Sequence, residues 1–143
     1  MTDITLLIGN TLADIDPDMI IYRDKQENGA YETPCYLIQR LPVTIGSSIG
    51  HHEHRMYTYD LVYMPAEDSR KKLSDIDLKS ELLMEKFKLI QPNFARLWHR
   101  SLNIVDDVLH FQFDIYVQDH VSDDGPKMNN NLIYEGGLLN GNR

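Results

Sequence analysis

Three histidines and one glutamate stand at four consecutive positions, His51-His52-Glu53-His54. Imidazole and carboxylate groups are common protein ligands of zinc, nickel and copper. The cluster lies in a glycine-flanked stretch, however, and it lacks the helical H-E-x-x-H spacing of the zinc proteases. A full ligand set would need a side chain from elsewhere in the fold, and the candidates are His99, His110 and His120. We therefore expect a solvated loop with no metal or other cofactor; if a metal binds, its candidate ligands are His51, His52 and His54.

Two side chains are candidate nucleophiles. The run Gly46-Ser47-Ser48-Ile49-Gly50 matches the G-x-S-x-G nucleophile elbow by letter, with Ser48 as the nucleophile. That elbow requires a strand before it and a helix after it, whereas a strand-like run follows this one, so a chance match is favoured. The single cysteine, Cys35, lies in an apolar run, where a buried structural thiol is expected.

Four aspartates are candidates for an acid–base pair: Asp60, Asp106, Asp107 and Asp114. A catalytic pair needs surroundings that separate the two pKa values, and the sequence does not show such surroundings. We predict that these carboxylates are solvated or ion-paired. The phosphate-binding glycine motifs are missing from the sequence as well. The residues therefore favour a protein that is not an enzyme.

The elements that position these residues begin with a helix. Apolar residues at three- and four-residue steps predict it over residues 3–15, with Thr2 or Asp3 as its N-cap. Short apolar runs then predict strands at residues 19–22 and 35–41, separated by a polar turn.

A flexible connection is predicted over residues 43–54, because it is rich in glycine and serine. A long strand over residues 55–64 follows, and it should pair with the strand at 35–41 as an extended hairpin. One face of this long strand carries Tyr57, Tyr59 and Tyr63. We expect two of these tyrosines to pack in the core and the other to contact a partner, since tyrosine is enriched at interfaces.

A second helix is predicted to begin at Ser74 with a capping-box-like start and to end before Pro92. Its apolar stripe consists of Ile76, Leu83, Phe87 and Ile90. Residues 94–101 fit a short helical turn or a loop, and the sequence leaves that choice open.

Strict alternation predicts a strand over residues 108–117, with one face made entirely of apolar residues. Asp106-Asp107 provides a turn to a short partner strand at 102–105. The predicted fold class is therefore α+β, with a mainly antiparallel sheet and helices packed on one face. Residues 1–118 form the domain, and residues 119–143 form a polar C-terminal tail or arm.

Length and charge set further limits. A chain of 143 residues is long enough for one domain. The net charge of −8 argues against general affinity for nucleic acid or anionic membranes, which requires clustered lysine and arginine. No stretch approaches the ~20 continuous apolar residues of a membrane span. The start of the sequence lacks a basic signal region, so we expect synthesis in the cytoplasm.

Several short motifs follow one another in a fixed order between residues 19 and 128. They are Ile20-Ile21-Tyr22, then Pro34-Cys35-Tyr36-Leu37-Ile38, then Tyr57-Thr58-Tyr59-Asp60-Leu61-Val62-Tyr63-Met64-Pro65, and, after a helix, Asp106-Asp107-Val108-Leu109-His110-Phe111 running on to Asp114-Ile115-Tyr116, with Met128 near the end. This ordered set resembles the phage tail terminators of phages and prophages of Gram-positive bacteria. The histidine-rich stretch and the extension beyond Met128 depart from the pattern.

The resemblance implies a structural virion protein that forms a ring, expected to be a hexamer, on the head-proximal end of the tail tube. The ring would stop tube polymerisation, offer a docking surface to connector or neck proteins, and let DNA pass without specific binding. Such a protein would act in the host cytoplasm during assembly and then in the virion. The candidate interface residues are Tyr57, Tyr59, Tyr63, Ile45, Ile49 and Met128. The alternatives are another head–tail adaptor or neck protein, or a small metal-binding protein that uses the His51–His54 stretch.

Overall fold

The computed structural model describes residues 3–48 and 52–120. Its elements are α1 (Ile4–Ile15), β1 (Ile20–Tyr22), β2 (Cys35–Arg40), β3 (Thr44–Ser48), β4 (His52–Met64), α2 (Lys72–Lys86), β5 (Leu89–Ile90), β6 (Ala95–Arg96), β7 (Trp98–Val105) and β8 (Val108–His120). The chain divides into two compact units, one of Met1–Thr44 with Arg55–Val117 and one of Ile45–His54 with Gln118–Arg143. Neither helix in the described part has the length and apolar content needed to cross a membrane.

One six-stranded sheet dominates the described residues, in the order β1-β2-β4-β8-β7, with β3 paired to β4. β1 runs parallel to β2, whereas β2–β4 and β7–β8 are antiparallel pairs. Contacts of Asp60 with His110 and of Thr58 with Asp114 show that β4 and β8 also run in opposite directions. The predicted α+β class with a mainly antiparallel sheet is confirmed, and β5 with β6 forms a separate two-stranded sheet.

Helix α1 forms where the sequence predicts it. The Asp3 side chain caps it by accepting a hydrogen bond of 3.0 Å from the Leu6 amide. Its buried side chains, Ile4, Ile8 and Leu12, recur at four-residue steps and face the sheet.

Helix α2 differs from the prediction at both ends. It begins at Lys72, its N-cap Lys71 makes no side-chain cap, and Ser74 lies inside the first turn. The local polar contact comes instead from Ser69, whose hydroxyl donates to Asp75 at 2.8 Å. The helix ends at Lys86, well before Pro92, because the chain turns into the β5–β6 hairpin.

Two further predictions are corrected by strand pairing. The stretch 43–54 was expected to be a flexible connection, but it contains β3 and the beginning of β4. Residues 94–101, left open between a helical turn and a loop, contain β6 and the start of β7. Both stretches form strands because they pair with a neighbouring strand. The composition of the stretch itself does not reveal that partner.

The core lies between the two helices and one face of the sheet. Its largest fully buried side chains are Tyr36, Tyr59, Phe87, Phe111 and Phe113. β8 supplies the predicted apolar face, with Leu109, Phe111, Phe113 and Ile115 at most 1% exposed. Phe87 and Ile90 belong to this core although they follow α2, so the predicted apolar stripe identified core residues correctly while overextending the helix.

A buried polar contact ties both helices to the sheet. The Tyr36 hydroxyl on β2 donates to Asp16 at the end of α1 at 2.7 Å, and Lys79 of α2 forms an ion pair with the same carboxylate oxygen. The Lys79 ammonium also lies 5.7 Å from the ring centre of Tyr63. Burial, the largest cause, and the nearby carboxylates of Asp75 and Asp16 raise the pKa of Tyr63 to about 12.

Core packing on β8 yields a first prediction. Phe111→Ala should lower the free energy of unfolding by about 3–5 kcal/mol, because it removes a buried ring and leaves a cavity. The neighbouring change Gln112→Ala, on the exposed face, should change it by less than about 0.5 kcal/mol. Chemical denaturation followed by circular dichroism measures both values. Equal losses for the two variants would contradict the assignment of the two faces.

The Tyr63 hydroxyl yields a second prediction. Because its pKa is higher in the folded than in the unfolded chain, its contribution to stability is full below pH ~10 and is lost as the pH rises towards 12. Between these pH values the unfolding free energy of the wild type should fall more steeply than that of Tyr63→Phe, by up to ~1.4 kcal/mol per pH unit. Tyr116→Phe, at a half-exposed ring, is the matched control. Identical pH dependence in wild type and Tyr63→Phe would contradict the prediction.

Candidate assembly surfaces

Of the three histidines at residues 51–54, only His54 has a side chain that the structure describes. His54 is exposed on β4, His52 begins that strand, and His51 lies outside the described residues. Among the side chains that the structure describes, no group of three His, Cys, Asp or Glu residues could hold a metal ion. Because the side chains of His51 and His52 lie outside the described part, the expectation for His51, His52 and His54 stays a prediction.

The three tyrosines of β4 fall into two environments. Tyr59 and Tyr63 are 1% and 3% exposed and belong to the core. Tyr57 is partly buried and packs against the edge of that core. Of the three candidate interface residues, only Tyr57 retains surface for a partner, because the other two are enclosed within the subunit.

Of the other candidate interface residues, the structure describes only Ile45. Ile45 on β3 is 62% exposed, which is high for a large apolar side chain. Ile49 and Met128 lie outside the described residues, as do residues 121–143 of the predicted C-terminal arm. Their interface role stays a prediction.

Neither candidate nucleophile acquires a catalytic setting. Ser48 ends β3, and the next described residue, His52, begins another strand, so the helix that a nucleophile elbow requires does not follow. Cys35 is fully buried, and desolvation raises the pKa of its thiol. A protonated, inaccessible thiol is a poor nucleophile.

A polar network lies on the β4–β8–β7 part of the sheet face opposite the helices. His110 Nδ1 on β8 lies 2.9 Å from an Asp60 oxygen on β4. Asp114 accepts a hydrogen bond of 2.7 Å from Thr58 and lies 2.8 Å from His99 Nδ1. The second oxygen of Asp60 is buried and has no hydrogen-bond partner among the described residues. Two of the four candidate aspartates are thus ion-paired or hydrogen-bonded, as predicted.

This network orients imidazoles but lacks the arrangement of a hydrolase. A triad needs a hydroxyl or thiol bonded to the imidazole that a carboxylate orients. Here Thr58 bonds to the carboxylate itself. Asp106 and Asp107 lie in the β7–β8 turn, where both have positive φ, and they serve the turn geometry. The network therefore fixes the β4–β8–β7 surface and presents polar groups to solvent.

An aromatic patch spans β7 and its neighbour β8 at this end of the sheet. Trp98 and Tyr116 are 47% and 49% exposed and meet edge to face with ring centres 6.3 Å apart. A break in the β7–β8 register falls between Trp98 and Ser101, and His99 within it has φ 53°. Such bulges re-aim side chains, and here His99 and Trp98 both contact Tyr116. Arg96 lies 5.9 Å from the Trp98 ring centre.

An apolar groove lies at the opposite edge of the sheet, between α1 and strands β1 and β2. It encloses about 270 Å³, and its apolar lining comes from Leu6, Gly9, Ala13, Ile21 and Ile38. Gly9 is unusual in the middle of a helix, where glycine costs about 1 kcal/mol relative to alanine. A Cβ at this position would meet Ile38 at 3.7 Å, an ordinary contact, so close packing does not require the glycine. Gly9 lines the groove without adding a side chain to it.

Sequence reasoning missed both of these edge features. The β7 patch falls in residues 94–101, whose structure was left open, although the chain's one tryptophan lies there. The groove depends on β1 lying next to β2, a parallel pairing that the sequence order does not indicate. The one tryptophan of the sequence could have pointed to a contact surface here, since tryptophan is enriched at binding hot spots.

Comparison with known proteins identifies the family of the chain. No curated protein matches the chain. A family model described as phage tail terminator protein matches residues 3–127, which is most of the sequence. The matched range contains both helices, the complete six-stranded sheet and both edge features. This is a family of structural proteins of the phage tail, and the chain belongs to the phage tail terminator family.

Proposed function

We propose that this protein ends the tail tube by forming a ring, expected to be a hexamer, on the head-proximal end of the tube. The ring stops further addition of tube protein and presents a docking surface to connector or neck proteins. The observation that carries this proposal is the family match over residues 3–127. A ring follows when a head-to-tail interface closes on itself, and a closed ring has no free end on which to polymerise.

The surfaces of the subunit support a role in assembly. The strand path β1-β2-β4-β8-β7 ends at β1 and β7, with β3 paired to β4 off this path, and a partly exposed aromatic pair lies near the β7 end. Exposed edges and aromatic patches are the usual means by which small domains contact other chains. The exposed Ile45 on β3 offers a separate apolar contact, which we assign to the tube.

The negative charge of the protein supports the proposal that DNA passes through the ring without binding to it. At a net charge of −8, six copies carry a strongly negative field, which repels phosphates. A lumen of this sign lets DNA slide without specific binding. We place the protein in the host cytoplasm during assembly and in the tail of the finished virion.

A tube-growth assay tests this function. Tube protein from the same phage should polymerise without limit on its own, and adding this chain should give short tubes with a ring at one end, counted by electron microscopy. Ile45→Asp should weaken capping about tenfold or more, because a charge replaces an apolar contact. Leu78→Asp, at an exposed leucine on α2, is the matched control.

Unlimited tube growth in the presence of folded wild-type protein would contradict the terminator function. Binding of the chain to purified connector but not to tube ends would instead identify a head–tail adaptor.

A further inference from the structure

We propose that neighbouring subunits of the ring join head to tail through the two edges of the sheet. The basic edge, defined as Lys88, Arg96, Trp98 and Arg100, seats on the groove edge, defined as the apolar groove of α1, β1 and β2 together with the exposed Asp14 and Asp24, which directly follow the lining residues Ala13 and Arg23 in the chain. The occupant of the groove is the Trp98 side chain of a second copy of this chain. This inference rests on the proposed ring and names the surfaces that form it.

The charges of the two edges are opposite. Residues 88–105 contain three basic residues and no Asp or Glu, in a chain with an overall charge of −8. Residues 3–33 contain seven acidic and two basic residues, a net charge of −5. Arg23, which lines the groove, is paired with Asp3 at 3.2 Å, and Asp16 is paired with Lys79 of α2, so the remaining acidic residues of this range carry its surplus charge. The groove side therefore presents surplus negative charge, and the β7 side surplus positive charge.

The apolar features of the two edges also match. Trp98 projects from β7 with nearly half of its surface exposed, and Arg96 packs over its ring. The groove provides an open apolar recess, whose wall includes Leu6 at 51% exposure. Burial of an aromatic anchor in a recess surrounded by complementary charge is the usual composition of an interface hot spot.

Charges and topology select a head-to-tail arrangement. In a symmetric dimer through β7, Lys88 and Arg96 of the two copies would lie together and repel. A head-to-tail contact instead joins unlike edges, and the sheet order places those edges at opposite ends of β1-β2-β4-β8-β7. Every subunit then offers one edge of each kind, which is what a closed ring needs.

Protection of an edge strand does not account for these features. Charged side chains on an edge prevent unwanted strand pairing. Protection would not require an exposed tryptophan next to a bulge, and it would not require an apolar groove at the other edge.

Charge reversal tests the pairing. One variant carries Lys88→Glu with Arg96→Glu, a second carries Asp14→Lys with Asp24→Lys, and a third carries all four changes. Arg100 is left intact because its guanidinium donates to the carbonyls of Met84 and Phe87 at the end of α2. Native mass spectrometry measures the oligomer, either free or on tube ends, at one ionic strength, and circular dichroism confirms that each variant is folded.

We expect the first and second variants to associate at least tenfold more weakly than wild type when alone. Mixed in equal amounts they should co-assemble into rings in which they alternate, and the fourfold variant should assemble alone. Trp98→Ala should weaken association about thirtyfold, whereas Leu78→Ala should leave it unchanged.

The inference is overturned if the folded charge variants form rings as well as wild type does, or if mixing and the fourfold reversal restore nothing. Those outcomes leave the terminator function intact, because wild-type rings still cap tubes. Failure of the wild-type protein itself to form a ring, free or on the tube, would overturn the proposed function.

Discussion

The packing of Phe111 and Phe113 from β8 is the contact on which the rest of the fold depends. Phe113 stacks on Tyr59 of β4 and meets Phe87 edge to face, with ring centres 5.9 and 5.5 Å away. Phe111 reaches the same Phe87 ring at 5.9 Å. One strand thereby joins the middle of the sheet to the end of α2. Because these contacts occupy one face of the sheet, that face is closed to other molecules.

The division of the surface agrees with a structural role. The polar face holds two His–Asp pairs that stiffen β4, β8 and β7 and lacks a bonded nucleophile among the described residues. The two edges differ in charge and shape, one bearing a projecting tryptophan and the other a groove. The chain belongs to the phage tail terminator family, and the ring that we propose would use these two edges.

Patterns that arise from local physics were predictable from the sequence. The sequence predicts β8 and helix α1 because their buried residues recur with a strand or helix period and because Asp3 is a typical N-cap residue. The predicted start of α2 at Ser74 is wrong, because Ser74 lies inside the helix. The serine near the helix start that bonds to it is Ser69, whose hydroxyl donates to Asp75. β3 and the groove depend on strand neighbours distant in sequence, so no local pattern reveals them. The sequence predicts that carboxylates such as Asp60 and Asp114 are solvated or ion-paired, but it does not indicate that they contact His110 and His99.

The most direct measurement is cross-linking of rings assembled from equal parts of ¹⁵N-labelled and unlabelled protein, because mixed-isotope links arise only between subunits. A carbodiimide joins lysines to carboxylates that lie in contact. The account predicts mixed-isotope links between Lys88 and the carboxylates of residues 14–32, in particles of six subunits. Mixed-isotope links from Lys88 to other parts of the chain, with none to residues 14–32, would contradict it.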